Sequence, residues 1–141
     1  LATLYKICDT GFNYYHDGGR LAKAYEDIRA LRKQLGGMSL STSSRKYNLE
    51  WMQSVIVRNL ALCAEIGIHA ALERKESRGT HLRDDYPEVN NKDFLFSFTA
   101  SLGEDEPEYG RREPGETFIS LDRSVYPNIA ECIAQTILEN D

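Results

Sequence analysis

The sequence predicts a mainly α fold: an antiparallel three-helix bundle with a small β-hairpin appendage and a C-terminal helix. Three observations lead to this fold class. The chain has 141 residues, which suits a single domain. Apolar residues recur at helical spacing in three segments before residue 76. After Gly79 the apolar residues instead alternate with a period of two, which is typical of a β-strand.

The first two helices are predicted from their apolar spacing and from the glycines that follow them. The first extends from Leu1 to about Thr10 and is ended by Gly11. An aromatic stretch and an Asp-Gly-Gly turn lead to the second helix, which extends from about Arg20 to Leu35. Its apolar stripe comprises Leu21, Ala24, Tyr25, Ile28, Leu31 and Leu35.

The third helix is predicted from an N-cap at Asn48 to about Lys75, a length of roughly 40 Å at 1.5 Å per residue. Its apolar residues cover most of the circumference: Trp51, Met52, Val55, Ile56, Leu60, Leu62, Cys63, Ile66, Ala70 and Ala71. Such a pattern is typical of the buried centre of a bundle, so we expect these side chains, including Cys63, to be buried. Glu65 and His69 lie four residues apart on the remaining polar line and could pair.

The last third of the chain is predicted to hold a hairpin and a final helix. One strand starts at Phe94 and ends at Leu102, a charged loop covers 103–116, and a short second strand covers 117–121. Pro127 suits the first position of a helix. The apolar stripe of that helix comprises Ile129, Ala130, Ile133, Ala134, Ile137 and Leu138.

Composition and charge exclude several classes of function. The 17 basic against 22 acidic residues give a formal net charge of −5, which argues against a nucleic-acid-binding protein. The longest unbroken aliphatic run, Leu60 to Ala64, is far shorter than the ~20 residues of a membrane helix, so no direct membrane span is expected. Three cysteines without a paired spacing favour a reducing, cytoplasmic setting.

The sequence lacks the common motifs of catalysis. It contains no glycine-rich phosphate loop, no nucleophile motif and no histidine pair at metal-ligating spacing. We therefore predict no catalytic residue, no cofactor-binding residue and no metal ligand in this chain. The chain begins at Leu1 rather than at a methionine, and we expect it to be a fragment of a longer protein.

The segment that follows the third helix is unusually rich in ionisable side chains. It lies where the last carbonyls of a helix need partners. Two interpretations remain open: a helix cap with an internal salt-bridge network, or a docking surface for another domain or partner. We expect Arg78 to bond within the domain, to Asp84, Asp85 or a helix carbonyl. We expect His81 and Arg83 to face outward.

Residues 76–87 read ESRGTHLRDDYP. This run resembles the ESRGAHxRxDYP signature of the succinate dehydrogenase/fumarate reductase flavoprotein family, with a departure at Thr80, where alanine is usual. The start and middle of the third helix and the hairpin resemble the same family, so the resemblance covers about residues 1–121. The related L-aspartate oxidase usually lacks the arginine matched by Arg83, which favours the dehydrogenase/reductase branch.

The resemblance implies a C-terminal helical-bundle domain, residues 1–121, of an FAD-dependent flavoprotein, followed by a helical extension, residues 122–141. It implies that FAD and the dicarboxylate site belong to preceding domains, that no cofactor is held by this chain, and that the parent interconverts succinate and fumarate. The positions that carry over form a domain-interface motif: Glu76, Ser77, Arg78, Gly79, His81, Arg83 and Asp85.

The implied partners are the parent's own FAD-binding domain and an iron–sulfur electron-transfer subunit, at the cytoplasmic face of a membrane. Some apolar surface is then expected near the motif, where another domain would pack. The candidates for that surface are Phe12, Tyr14, Tyr15 and Tyr86. The alternative is a stand-alone helical protein-interaction module without catalysis.

Overall fold

The computed structural model of the protein describes residues 1–104 and 106–114. In chain order the elements are α1 (Ala2–Gly11), β1 (Tyr15–His16), α2 (Gly18–Gly36), α3 (Leu49–Glu73), β2 (Leu82–Arg83), α4 (Asn91–Phe94), β3 (Ser97–Leu102) and β4 (Pro107–Arg112). About half of the described residues are helical, and the strands form two small sheets. At this level the described part of the chain agrees with the predicted mainly α class.

The three longest helices begin and end close to where the sequence predicts. Asp17 caps α2 by accepting a hydrogen bond from the backbone N–H of Arg20 at 2.9 Å. Asn48 caps α3 in the same way, accepting from the N–H of Trp51 at 2.9 Å. These short polar side chains satisfy N–H groups that the first helical turn leaves without a partner. The predicted N-cap at Asn48 is confirmed.

The core lies where α2 packs against both α1 and α3. Its buried apolar residues are Leu4, Ile7, Leu21, Ala24, Ile28, Val57, Ala61, Ile68 and Ala71. Helices α1 and α2 approach closely, since a Cβ atom added at Gly11 would lie 2.4 Å from the Cβ of Ala24. A side chain at position 11 would therefore force the two helices apart.

Helix α3 is apolar around its circumference, but only one of its faces is buried in the described residues. Val57, Ala61 and Ile68 belong to the core. The large apolar side chains away from this face are exposed: Trp51, Met52, Val55, Ile56 and Leu60. The prediction that these side chains are buried is wrong, and so is the prediction for Cys63, which is exposed. The apolar residues around α3 show that every side of the helix could be buried, but among the described elements α2 covers only one side.

A charged residue lies inside this core. The carboxylate of Glu65 is almost completely buried, pairs with the guanidinium of Arg32 and lies 3.7 Å from Nε of Arg29. The suggested pair of Glu65 with His69 does not form. Because two arginines of α2 reach Glu65, His69 is free to stack on the ring of Tyr109 in the hairpin, with 3.7 Å between the ring centroids.

Strands β3 and β4 form an antiparallel hairpin in which Ser97 pairs with Arg112 and Leu102 pairs with Pro107. The sequence predicts this first strand but starts it at Phe94, which lies in α4, three residues before β3 begins. The predicted loop at 103–116 is wrong, because residues 107–112 form the strand that pairs with β3. The partner is β4, whose charged sequence shows no apolar alternation; its strand conformation comes from backbone pairing with β3. The segment 117–121 and the predicted final helix lie outside the described residues.

By length and composition alone, α3 is able to cross a membrane: one window of 18 residues has a mean hydropathy of 1.5. The core helix of a soluble protein meets the same criterion. Moreover, α3 packs on α2 and holds Glu65 in an ion pair with an arginine of that helix. The apolar composition of α3 is therefore weak evidence for a membrane span.

Candidate domain-interface motif

The charged motif starts where α3 ends. Arg74, the C-cap of α3, has extended backbone angles and donates its N–H to the carbonyl of Ala70 at 3.1 Å. The chain then makes a tight turn in which Arg78 and His81 exchange two backbone hydrogen bonds, at 2.9 and 3.0 Å. Gly79 in this turn has a φ of +59°, which glycine adopts without strain. The turn sends the chain back toward the end of α3.

The returning chain pairs with the connection between α1 and α2. Tyr15 and His16 of β1 align in parallel with Leu82 and Arg83 of β2. The N–H of Asp84 extends this pairing by donating to the carbonyl of His16 at 3.0 Å. The small sheet therefore places the C-terminal end of α3 beside the N-terminal end of α2.

Arg83 caps the C-terminal end of α3. Its Nη1 donates to the backbone carbonyls of Ala71 at 2.9 Å, Leu72 at 3.3 Å and Arg74 at 3.2 Å. The last turn of a helix leaves such carbonyls without partners inside the helix, and a cation there also suits the helix dipole. Arg83 is only 3% exposed. The prediction that Arg83 faces outward is therefore wrong.

Asp85 holds Arg83 in this position. Its two oxygens accept hydrogen bonds from Nε and Nη2 of Arg83, both at 2.7 Å, which forms a bidentate pair. One oxygen also accepts the N–H of Gly18 at the start of α2, at 3.0 Å. The bonds from Arg83, aided by Gly18, outweigh the effect of partial burial and lower the pKa of Asp85 to about 2. Asp85 thus connects α3 with α2.

Glu76 is the centre of a second, buried ion-pair cluster. Its carboxylate has no exposed surface and accepts hydrogen bonds from Arg78 at 2.8 and 2.9 Å, from the N–H of Asn90 at 2.8 Å, and from Arg74. Burial by itself raises the pKa of Glu76, but the bonds from Arg78, Asn90 and Arg74 outweigh it and hold the pKa below its usual value. Glu76 therefore stays ionised while buried.

Arg78 bonds within the domain, as the sequence predicts, but its partners differ from the predicted ones. It pairs with Glu76 and donates to Oδ1 of Asn91 at 2.7 Å, rather than to Asp84 or Asp85. Asp85 is not available because both of its oxygens are held by Arg83. About a third of the Arg78 side chain remains exposed.

Ser77 fastens the returning strand to the start of the motif. Its buried Oγ accepts the N–H of Arg83 at 2.9 Å and donates to the carbonyl of Tyr86 at 2.8 Å. Its backbone N–H donates to the carbonyl of Glu88 at 3.0 Å. The hydroxyl and the backbone N–H of this buried serine therefore both have partners that replace water.

Arg74 links the motif to the hairpin, although it lies outside the predicted domain-interface motif. Its Nη1 and Nη2 donate to the carbonyls of Phe94 at 2.9 Å and Phe96 at 2.7 Å. The same guanidinium lies 5.5 Å and 5.1 Å from the ring centroids of Phe96 and Phe98. The signal that could have identified Arg74 is its place as a cation at the end of a long helix, directly before the motif.

His81 is half-buried against a second histidine that sequence reasoning also missed. Its Nδ1 lies 3.1 Å from Nε2 of buried His16, whose Nδ1 lies 2.8 Å from the carbonyl of Asn13. The Asn13 carbonyl can only accept, so Nδ1 of His16 donates to it, while Nε2 of His81 lies 3.4 Å from the carbonyl of Arg74. Burial lowers the pKa of His81 and outweighs the hydrogen bond to the carbonyl of Arg74, which raises it; the nearby charges of Arg83 and Arg74 add to the lowering.

A cleft of about 630 Å³ opens beside the two histidines. Its lining includes Phe12, Tyr14, Ala70, Arg74, Thr80 and Phe98. Of the aromatic residues expected at the surface, Tyr14, Tyr15 and Tyr86 are exposed. Phe12 is half-buried instead, because its ring packs against α3 at Gly67. The surface beside the motif therefore combines aromatic rings with half-exposed polar side chains.

The motif is chemically suited to holding structure. Its members satisfy one another's hydrogen bonds and fix the ends of α2 and α3 and the hairpin. Within residues 1–104 and 106–114, no group of three or more His, Cys, Asp and Glu side chains could hold a metal ion. Arg78, Gly79, His81 and Asp85 are the members that a neighbouring domain can reach, since each keeps exposed surface.

Helices, charged motif and hairpin together define a class, the helical C-terminal domain of a flavoprotein. Residues 2–120 match the family described as Fumarate reductase flavoprotein C-term. The chain belongs to this family, as the ESRGTHLRDDYP run predicts.

Curated relatives carry related names. The fumarate reductase flavoprotein subunit of Mycobacterium tuberculosis is 30% identical over 94 residues, which is 67% of this chain and 16% of that protein. The succinate dehydrogenase flavoprotein subunit of Rickettsia conorii is 30% identical over 77 residues, covering 55% of this chain and 13% of that protein. The chain thus spans less than a fifth of the length of these relatives.

Solved structures share the fold at lower sequence identity. A chain of Escherichia coli quinol fumarate reductase matches with a TM-score of 0.74 at 20% identity, over 82% of this chain and 20% of that chain. Adenylylsulfate reductase from Archaeoglobus fulgidus matches with a TM-score of 0.71 at 22% identity, over 85% of this chain and 19% of that chain. The fold therefore occurs in enzymes that are named for different substrates.

Proposed function

We propose that this chain is the C-terminal domain of an FAD-dependent flavoprotein that interconverts succinate and fumarate. The observation that carries the proposal is the match of residues 2–120 to the flavoprotein C-terminal family. We assign FAD to the rest of the parent protein, because this chain contains no glycine-rich phosphate loop, and the family resemblance places the dicarboxylate there as well. The fragment alone is therefore expected to be colourless and inactive.

The choice of a dicarboxylate as the substrate is supported by the sequence relatives rather than by the fold. Structures named for fumarate and for adenylylsulfate resemble this chain equally well. The relatives at about 30% identity, by contrast, are named fumarate reductase and succinate dehydrogenase. These names support a parent enzyme that acts on a four-carbon dicarboxylate.

We also infer that residues 1–121 form one domain built on an antiparallel three-helix bundle, with residues 122–141 as an extension. Tyr25 lies against His69, whereas Arg32, which comes later in α2, pairs with Glu65, which comes earlier in α3; contacts in this opposite order fit antiparallel helices joined by a connector. The packing of α1 on the same α2 supports the third member of the bundle.

The proposed interface with the FAD-binding domain comprises the motif and the cleft beside it. Glu76, Ser77 and Arg83 act from inside, because they fix the shape of this surface without reaching it. Arg78, His81 and Asp85 are the members that offer partly exposed polar groups to a partner. An iron–sulfur subunit and a location at the cytoplasmic membrane face are further proposals, supported by the likeness to a quinol fumarate reductase chain.

The activity is tested on the intact parent protein, purified with its flavin. We expect succinate-dependent reduction of a dye, fumarate-dependent oxidation of a reduced dye, and no turnover with adenylylsulfate. A parent protein that binds flavin but turns over adenylylsulfate alone would contradict the choice of substrate. An open reading frame that encodes no flavin-binding domain would instead favour the stand-alone interaction module.

The interface is tested in the same parent protein with His81→Ala and Arg78→Ala. We expect both variants to lower turnover or to loosen the association of the two domains, as measured by limited proteolysis of the connection. Lys75→Ala is the matched control, since Lys75 is a neighbouring cation that forms no salt bridge with any residue the structure describes. Equal turnover and proteolysis in all three variants would contradict an interface at the motif.

A further inference from the structure

Helix α3 presents an apolar face that no described residue covers. Met52, Ile56 and Leu60 form one row along the helix at a spacing of four residues, and Trp51 and Val55 form the neighbouring row. These side chains are between 40% and 57% exposed. Rows at this spacing are the ridges that pack against another helix. A contiguous apolar face of this kind marks a contact site.

The apolar face continues into a groove formed with the connector that precedes α3. The groove has a volume of about 670 Å³. It is lined by Leu40, Thr42, Ser43, Ser44, Arg45, Tyr47, Asn48, Trp51 and Met52. Most of its surface is apolar, and it lies at the same end of α3 as the two exposed rows. One amphipathic helix could therefore contact both.

The charged groups around this face are mainly basic. Arg45, Lys46 and Arg58 are exposed, and none of them forms a salt bridge with another residue in the described ranges. The nearby acid, Glu50, is occupied by the N–H and hydroxyl of Ser41 at 3.0 and 2.7 Å. An apolar partner flanked by acidic residues would complement this surface.

We propose that residues 128–139 of the same chain form an amphipathic helix that packs on this face of α3. The segment has that composition: its apolar stripe is Ile129, Ala130, Ile133, Ala134, Ile137 and Leu138. Glu131 and Glu139 flank the stripe, and the segment contains no basic residue. A helix of this length is marginal alone in water, so packing on α3 would supply the stability that it lacks.

The chain is long enough to make this contact. The described residues end at Pro114, shortly after Arg111, whose guanidinium lies over the ring of Phe96 near the C-terminal end of α3. From that end back to Ile56 the distance along the helix is about 27 Å at 1.5 Å per residue. The 13 residues from 115 to 127 extend to about 43 Å. The connection therefore exceeds the distance required.

Trp51 reports on this contact, because it is the single tryptophan of the chain. The test compares acrylamide quenching of its fluorescence in the 141-residue chain, in Ile133→Asp, and in a chain that ends at Leu121. We expect the quenching constant to rise at least about twofold in both altered chains. Gln135→Asp is the matched control, since a helix places residue 135 opposite residue 133, and it should leave quenching unchanged.

Two outcomes would overturn the proposal. One is a quenching constant that stays the same in Ile133→Asp while circular dichroism shows an intact fold. The other is quenching that falls as protein concentration rises, with sedimentation showing a dimer, because a second copy would then cover the face.

Discussion

The segment that follows α3 and the N-terminal half of α3 both reverse the usual relation between residue type and exposure. Directly after α3 the chain is densely charged, yet Glu76 and Arg83 are almost completely buried. In the N-terminal half the helix is densely apolar, yet Trp51 and Ile56 are about half exposed. The difference shows that burial follows the partners that the fold provides. Charges enter the interior when every hydrogen bond is satisfied, and an apolar face stays exposed until a partner covers it.

Removing Arg83 should produce the largest effect, because it leaves the last carbonyls of α3 unpaired in the interior. We expect Arg83→Ala to lower the free energy of unfolding by about 3 kcal/mol, as measured by urea denaturation. The free energy of unfolding of Arg83→Lys should lie between those of the wild type and Arg83→Ala, since an ammonium group keeps the charge but cannot form the bidentate pair with Asp85. A loss of less than about 0.5 kcal/mol, as for a typical surface residue, would contradict the role of Arg83 as a buried cap of α3.

Glu76→Gln should rank second. The amide keeps the shape of the carboxylate but leaves Arg74 and Arg78 without their shared negative charge. We expect a loss of about 2 kcal/mol in the free energy of unfolding. Glu88→Gln is the matched control, because Glu88 is exposed and should change stability by less than about 0.5 kcal/mol. Equal melting curves for the two variants would show that the buried cluster does not stabilise the domain.

Acid should weaken the charged end of α3 in a defined range of pH. The pKa of Asp85 in the folded protein is about 2, below its usual value, so the unfolded chain binds this proton more readily. The stability that the Arg83 pair contributes is therefore complete above about pH 4 and is lost as the pH falls toward 2. Between pH 4 and pH 2 the urea midpoint should fall less steeply with pH in Asp85→Asn than in the wild type. The same dependence on pH in both proteins would contradict the assignment of this loss to Asp85.

Burial also favours the neutral form of His81 over the charged form in the folded protein. Its pKa is lowered, so the unfolded chain binds the proton first, and stability should decrease as the pH falls below the usual histidine pKa of about 6.5. His81→Gln should remove part of this slope in urea titrations. The same slope in wild type and variant would assign it to another group.

The smallest effect is expected at the other end of α3. Asn48 is a helix cap at the surface, and Asn48→Ala should lower the free energy of unfolding by about 1 kcal/mol. Asn48→Ser, which keeps an acceptor oxygen, should restore most of that loss. If Asn48→Ala destabilised the chain as much as Arg83→Ala, the two ends of α3 would contribute equally, and the contrast between them would not hold.

The local parts of the fold could be predicted from the sequence because they depend on neighbouring residues. The cap at Asn48 and the boundaries of the first three helices are set within a few residues of chain. The ESRGTHLRDDYP run identified the family for the same reason, since it is a contiguous signal. Strand β4 escaped prediction because its charged sequence has no alternation, and its conformation comes from pairing with β3.

The inward direction of Arg83 could not be predicted, because it depends on residues far away in the sequence. Arg83 turns toward α3 only when β2 pairs with Tyr15 and His16, and Asp85 binds Gly18. Nor could the exposure of Trp51 be predicted, because an apolar side chain does not specify which element covers it. Periodicity indicates which faces can be buried, and only tertiary contacts decide which of them are.

The hydrogen bond from Gly18 to Asp85 also indicates at which stage of folding the charged motif forms. It joins residues 67 positions apart, and closing a loop of that length costs about 4 kcal/mol in chain entropy. Packing of α1, α2 and α3 shortens this loop first, so the motif should lock late in folding. During synthesis the three helices leave the ribosome before Asp85, and the end of α3 stays hydrated until then. Weakening this bond should therefore accelerate unfolding more than it slows folding.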